Sequence, residues 1–415
     1  METAISINKL SSFCANLPST NLAFPAKKIR LAFNFLEAND FPTTRHEDWK
    51  YTRLARVANL KFKREIEVVS QKTTEICGNS IRFVFVNGIL TERPTSLPTG
   101  LICKNIEACT QEELQNVSTN TTLFECLNLA YAQSGVYLHL AAKTILEQPI
   151  EIVYLTTESS FTALRNFIQL DQFSQAEIVI NHQTLGDSNA FINSVSDVVV
   201  GKNACLKMYK IQREAGQNYH VSRENIFQEA DSNFTISTST INSHFVRNDI
   251  NVQVNGQNSE TNLFGVYLLK ENQHVDNHTV IDHKVANCLS NELYKGVIYD
   301  KGTAVFNGKV FVRKDAQKIN AFQSNANVLM SADATVNSKP ELEIYADDVK
   351  CSHGSTTGQL DEEAIFYLRS RGIGEQAARN LVVSAFVNDA LEKIVNEEVL
   401  AAIYTLVKED FCWEF

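Results

Sequence analysis

Phe234-Thr-Ile-Ser-Thr-Ser-Thr-Ile241, Ile250-Asn-Val-Gln-Val254 and Asn262-Leu-Phe-Gly-Val-Tyr-Leu268 follow one another with few residues between them. Each alternates apolar or β-branched residues with polar ones, the period of a strand, and no helical period interrupts the series. The same pattern continues outward on both sides. Toward the N-terminus it includes Leu206-Lys-Met-Tyr-Lys-Ile211, Asp197-Val-Val-Val200 and Ile150-Glu-Ile-Val-Tyr-Leu155; toward the C-terminus it includes Val305-Phe-Asn-Gly-Lys-Val-Phe-Val312. No proline occurs from Ile150 to Lys339. That much strand text exceeds one ordinary sandwich, and asparagine recurs throughout, suiting left-handed corners and the side-chain ladders of a stacked coil. The expected fold is mainly β, a parallel β-solenoid, with one large sandwich or two smaller ones as the alternative.

The flanks read differently. Residues 1 to about 60 look helical, with Ile29, Ala32, Phe33 and Leu36 on one face. Thr43 to Thr52 is polar, with Trp49 and Tyr51 as anchors. A first strand, Ile81-Arg-Phe-Val-Phe-Val86, runs into the turn signal Asn87-Gly88, and a helical stretch spans Leu123 to Ala132. After Lys339-Pro340 the helical period returns. Asp361 is an N-cap candidate with Glu362 and Glu363 in the first turn, and Gly372 and Gly374 close that helix. A second helix, Glu375 to Ile394, puts Ala378, Leu381, Val382, Ala385 and Phe386 on one side, and a third runs through Val399, Leu400, Ile403 and Leu406. The expected division is a mainly helical N-terminal domain (1–94), the solenoid (95–345) and a C-terminal helical domain (346–415).

Composition narrows the function classes. At 415 residues, with 44% hydrophobic and 21% charged residues, the chain has the make-up of a globular protein with a large core. Its net charge of -10 opposes nucleic acid and anionic membrane as partners, and the longest basic run, Lys61-Phe-Lys-Arg64, is followed by Glu65 and Glu67. The first residues, Met1-Glu-Thr-Ala-Ile-Ser6, lack a signal-peptide pattern, and no apolar stretch is long enough to span a bilayer. A cytoplasmic protein is expected. The nine cysteines form no C-x-x-C pair, so reduced thiols are expected rather than a disulfide framework or zinc ribbon.

No phosphate loop, nucleophile elbow, H-E-x-x-H or dinucleotide fingerprint is present, so no ATPase activity is expected of this chain. Gly354-Ser-Thr-Thr-Gly358 lacks the lysine of a phosphate loop and reads as a turn. His274, His278 and His283, with Asp276, Asp282 and Cys288 nearby, invite a metal site. In a strand, however, 274 and 278 share one face while 283 points oppositely, which favours polar ladder positions on the solenoid surface. Cys351 and His353 form the sharper pair. Two residues apart, they project the same way in extended backbone as a soft sulfur and a borderline nitrogen ligand. Two ligands do not close a metal or cluster site, so either a partner chain brings the rest or this is a buried cysteine beside a structural histidine; spacing alone favours the latter.

Lys339-Pro-Glu-Leu-Glu-Ile-Tyr-Ala-Asp-Asp-Val-Lys-Cys-Ser-His-Gly-Ser-Thr-Thr-Gly-Gln-Leu-Asp-Glu-Glu-Ala-Ile-Phe-Tyr-Leu-Arg-Ser-Arg-Gly-Ile373 closely resembles the signature of the SufB/SufD family. So do Tyr294-Lys-Gly-Val-Ile-Tyr-Asp300, Phe306-Asn-Gly-Lys309, Gln317-Lys318, Asn325-Ala-Asn327 and Glu47-Asp-Trp-Lys-Tyr-Thr52. The matches span the chain from about residue 43 to its end. Leu368 stands where the SufB branch carries the cysteine thought to hold the nascent cluster, while Cys351-Ser-His-Gly354 and the shorter length resemble the SufD branch. Lys318-Ile-Asn-Ala321 departs from the family's Lys-Thr-Asp-Ala.

The resemblance implies a right-handed parallel β-helix with helical flanks, serving as a non-catalytic scaffold of iron-sulfur cluster assembly. It further implies pairing with SufB through the β-helix, recruitment of the SufC ATPase through the C-terminal helices, and a possible homodimer in isolation. His353, with Cys351 as a second ligand or a neighbour, would face a nascent cluster shared with SufB, with no cofactor stably bound by this chain alone. The alternative is a β-solenoid carbohydrate-active or carbohydrate-binding protein. That reading needs a groove with clustered carboxylates and, usually, export.

Overall fold

The computed structural model describes residues 9–18, 22–63, 73–119 and 122–413. Met1–Ser6 and the end of the basic run, Arg64, Glu65 and Glu67, lie outside them. In chain order the strands are β1 Ile81–Val86, β2 Ile89–Glu92, β3 Leu101–Asn105, β4 Val136–Leu140, β5 Ile150–Thr156, β6 Phe161–Leu170, β7 Gln175–Thr184, β8 Phe191–Val200, β9 Cys205–Arg213 and β10 Tyr219–Gln228. They continue as β11 Asn233–Ile241, β12 Phe245–Val254, β13 Glu260–Leu269, β14 His274–His283, β15 Leu289–Ile298, β16 Thr303–Val312, β17 Ile319–Leu329, β18 Thr335–Ile344 and β19 Val349–Gly358. From β4 onward each strand pairs in parallel with the strand two places along, so the chain winds between two facing sheets. One is a 10-stranded sheet of β1, β2 and the odd-numbered strands from β5 to β19; the other is a 9-stranded sheet of β3 and the even-numbered strands from β4 to β18. This is the parallel β-solenoid expected from the strand text, and the sandwich alternative is excluded by the parallel register. The first sheet runs past the anticipated limits of 95 and 345, since β1 precedes and β19 follows them, while the second, from β3 to β18, lies within them.

Corners explain how the winding is achieved. Asn203, Asp231, Asn242, Asn258, Asn287 and Asp300 all adopt positive φ between strands, a conformation that Asn and Asp tolerate through short polar side chains. Ladder contacts occur as well: Asn248 Nδ2 donates to Asn277 Oδ1 at 2.9 Å and Asn291 Nδ2 to Asn262 Oδ1 at 3.1 Å. Alternation puts Leu206, Phe234, Leu263 and Ile298 inside, where they form one long apolar core.

Each outer face has its own cover. The helices α1 Lys9–Cys14, α2 Ala26–Ala38 and α3 Leu123–Tyr131 bury Phe13, Leu36 and Phe124 against Phe161, Phe191, Tyr219 and Phe245 of the second sheet. Residues 39–63 form a strap with only single-turn 3₁₀ segments, less helical than the periodicity suggests, because Trp49 and Thr52 are held by the sheet rather than by a local stripe. On the first sheet lie α5 Glu375–Leu391 and α6 Glu397–Phe411, while α4 Glu362–Ser370 packs on α5, with Asp361 Oδ1 capping α4 through the backbone N–H groups of Glu363 and Ala364. The face of α5 that packs is Ala378, Val383, Val387, Ala390 and Leu391. Of the expected stripe Ala378, Leu381, Val382, Ala385 and Phe386, Ala378 alone is buried, and Leu381 and Ala385 are exposed. The reason is tertiary, since Lys295 on β15 donates to the Phe386 carbonyl at 2.8 Å and pairs with Asp389 at 2.7 Å, which sets the rotation of the helix. Among the described residues no helix is long and apolar enough to cross a membrane, and all nine cysteines are unpaired.

Candidate cluster-facing site at the open end of the solenoid

The strand β19 is the last of its sheet, and among the described residues its backbone ladder is with β17 alone. Gly354-Ser-Thr-Thr-Gly358, expected as a turn, is the second half of this strand, because its in-register pairing with Ser324–Val328 supplies the backbone partners a turn would otherwise provide. Cys351 sits over Ala321 and His353 over Gln323. Ala321 and Gln323 are inward-facing and buried, so Cys351 and His353 belong to the inward column. They share a face as the spacing required, with Cys351 half-buried against the end of the core and His353 exposed. Burial raises the Cys351 thiol above its ordinary range, partly offset by a hydrogen bond from the Ala321 backbone. It is not an activated thiolate; a metal or cationic partner is needed to deprotonate it. Among the described residues no third His, Cys, Asp or Glu stands close enough to these two to complete a ligand set.

The histidines of β14 are not brought together. His274 and His278 face outward under the strap, where His274 Nε2 lies 2.9 Å from Thr52 Oγ1 and His278 Nε2 lies 2.9 Å from Asp276 Oδ1. Asp276 also accepts from Thr52 Oγ1 and from Arg247 Nη1, the latter at 2.8 Å. These neighbours hold its carboxyl well below the usual carboxylate range against the opposing cost of burial. Arg247 in turn lies 4.0 Å from the Trp49 ring centroid and donates to the Asp48 carbonyl at 2.6 Å. His283 points inward, bonds Ser290 Oγ at 2.9 Å and is pushed down to about 4 by burial. The group is therefore a fastening for the strap, an arrangement more buried than the surface ladder expected for it.

The other motif residues shape the interior beneath the open end. Gly296 leaves room for the Tyr267 ring, since a Cβ there would stand 2.1 Å from it, and Gly265 does the same for Tyr294 at 2.2 Å. Asn325 Nδ2 donates to Tyr267 Oη at 2.8 Å, Ser338 Oγ donates to Asn325 Oδ1 at 2.8 Å, and Ser355 Oγ donates to Ser338 Oγ at 2.7 Å. Gln317 Oε1 accepts from the Asp348 backbone at 2.9 Å, and Lys318 takes positive φ at that corner. Sequence reasoning missed the apolar residues displayed around this end: Phe322, Ile344 and Tyr345 near the last coil, and Phe366 and Tyr367 on α4, with Phe366 74% exposed. Outward parity in β17 was the available signal for Phe322, whereas Ile344 continues the inward column over Val312.

Residues 153–386 match the family model described as SUF system FeS cluster assembly, SufBD core domain, which is more than half of the chain. The chain belongs to the SufBD family. The iron-sulfur cluster assembly protein SufD of Escherichia coli is 30% identical over 87% of this chain and 88% of that protein. A SufBD family protein of Synechocystis, slr0076, is 28% identical over 88% and 86%. The chloroplastic protein ABCI7 of Arabidopsis thaliana is 29% identical over 92% and 85%. The SufBD core spans the strands from β5 to β19 together with α4 and part of α5, so the open edge and the Cys351/His353 pair lie inside the matched region.

Proposed function

We propose that this SufBD chain is a non-catalytic, cytoplasmic scaffold subunit of the SUF machinery that pairs with SufB through the last coil of its solenoid. The observation that carries the reading is the inward Cys351/His353 pair on an edge strand whose other side lacks a backbone partner. A partner strand added there satisfies the free N–H and C=O groups and brings further ligands to a pair that cannot hold a metal or cluster alone. The nascent iron-sulfur cluster is the cargo, bound between the two chains and then passed on. In the absence of SufB, the same edge supports a homodimer.

The SufC ATPase docks on the C-terminal helices in this reading. Exposed Phe366, Tyr367 and Leu381 lie on α4 and α5, away from the face of α5 that grips the solenoid. The decisive experiment is co-purification of the chain with SufB and SufC followed by anaerobic cluster reconstitution. His353→Ala is expected to leave the complex intact and to lower the assembly rate by about tenfold or more, the effect of removing a ligand or its immediate support. Cys351→Ser separates ligation from packing, since thiolate ligation gives a comparable loss and packing alone gives mild destabilisation. Wild-type assembly rates in His353→Ala complexes refute the cluster-facing role, and recovery of SufC by a chain truncated after 345 refutes the docking role.

A further inference from the structure

About five strand spacings, roughly 24 Å, from the open edge, a second set of ligating groups converges inside the coil. His182 projects inward from β7, His220 from β10, and Glu214 from the corner between β9 and β10. One ligand atom from each falls within 4.8 Å of the other two, and all three residues are buried. His220 Nδ1 lies 2.7 Å from Glu214 Oε2 and its Nε2 lies 2.8 Å from Ser194 Oγ. Among the described residues no hydrogen bond engages the His182 ring, which stacks on Tyr154 at 5.2 Å and meets His220 edge-on at 4.5 Å.

The charges of this cluster are unbalanced. Lys210, the neighbouring cation, is committed to Ser222, to Glu224 at 2.7 Å and to Asn248 at 3.0 Å. Among the described residues Glu214 has no ion pair with Lys or Arg, and its carboxylate meets the His220 ring instead. Two imidazoles and a carboxylate are the donor set of a borderline divalent metal. Ser194 supplies the supporting shell. Its hydroxyl can donate to His220 Nε2, or accept from it and so turn the Nδ1 lone pair toward the same point as Glu214.

We propose that His182, Glu214 and His220 form a buried site for a divalent transition-metal cation in the zinc or ferrous class, separate from the cluster-facing pair at the open end. Ligand atoms of a tetrahedral zinc stand about 3.4 Å apart, so binding draws the His182 ring in and parts His220 Nδ1 from Glu214 Oε2, now 2.7 Å apart, with water in the fourth position. The ligands come from three segments, so the site is assembled only as those coils stack, and the cation loads during folding.

The test uses the full-length chain refolded with zinc, freed of loose metal and assayed by elemental analysis. Wild type and the Cys351→Ser/His353→Ala double variant are expected to retain about one zinc per chain, and His182→Ala and Glu214→Gln less than about a fifth of that. Cobalt in place of zinc is expected to show tetrahedral d–d bands without a thiolate charge-transfer band. Chelation during refolding is expected to lower the wild-type melting temperature and to leave that of Glu214→Gln unchanged, which decides the matter even if His182→Ala fails to fold. Zinc content equal in wild type and Glu214→Gln, loss of zinc in the double variant, a thiolate band, or a wild-type melting temperature indifferent to chelation overturns the proposal.

Discussion

At the N-terminal end of the coil stack the first sheet finishes in β2, four residues long and paired antiparallel to β1 through an irregular register, and the second finishes in β3, also antiparallel to its neighbour. At the C-terminal end β18 and β19 are ten residues each, in uninterrupted parallel register with β16 and β17. Short, reversed and irregular strands are how proteins blunt a sheet edge against further pairing. Long regular ones invite it. The first end is therefore built as a terminus and the second as a junction, where Cys351 and His353 have few partners among the described residues.

The sharpest way to break this comparison is at the fastening. Arg247→Ala leaves Asp276 buried without its guanidinium and removes the seat of Trp49, so stability is expected to fall by about 3–5 kcal/mol in denaturant unfolding. A change below about 1 kcal/mol shows that the strap is not held this way. Next in size is a pH effect inside the coil. Glu292 accepts from Thr279 Oγ1 and from Gln323 Nε2 at 2.7 Å but has no cation beside it, and burial pushes its carboxyl up to about 7. The folded form then binds a proton that the unfolded form has lost, so stability is full below the ordinary glutamate range and declines as pH rises from about 4.5 to about 7. Comparing wild type with Glu292→Gln across that window, the variant is expected to lack a decline of about 3 kcal/mol. Parallel curves contradict the assignment.

A smaller loss tests the shaped interior. Gly296→Ala forces a methyl against the Tyr267 ring and is expected to cost about 1–3 kcal/mol in thermal unfolding. At the open end the contrast should be clearest. Thr356→Lys on the edge strand is expected to change the stability of the isolated chain by less than about 0.5 kcal/mol while weakening edge-to-edge association by about tenfold or more. Sedimentation equilibrium and chemical unfolding on the same samples separate the two readouts, and unchanged association removes β19 from the junction.

Much of this architecture was legible because a strand period is local. The alternation through Ile250–Val254 or Asn262–Leu268 specifies which side chains enter the coil without knowledge of any neighbour, and the parallel register follows from repeating it. Asn at corners carried the same information. The rotation of α5 was not legible, because its two sides are similarly apolar and only Lys295, some ninety residues earlier, selects between them. The fastening role of His274 and Asp276 was hidden for the same reason, as their partners Thr52 and Arg247 lie far off in the chain. At the candidate site, pairing of Cys351 with His353 was readable from spacing, but the edge position of their strand was not. The His182, Glu214 and His220 cluster joins two successive coils, so no local pattern marks it beyond titratable residues at inward positions.

The strap has a consequence for synthesis. Thr52 finds Asp276 224 positions later in the chain, and Glu47 finds Lys339 292 positions later. At about 5–20 residues per second the ribosome takes roughly ten to sixty seconds to cover those intervals. For that time Thr52 and Glu47 lack these partners, while the early coils can already stack behind them. Docking of the strap is thus a late event that reports completion of β14 to β18, and a chain stalled before Lys339 leaves its N-terminal segment loose and open to proteases.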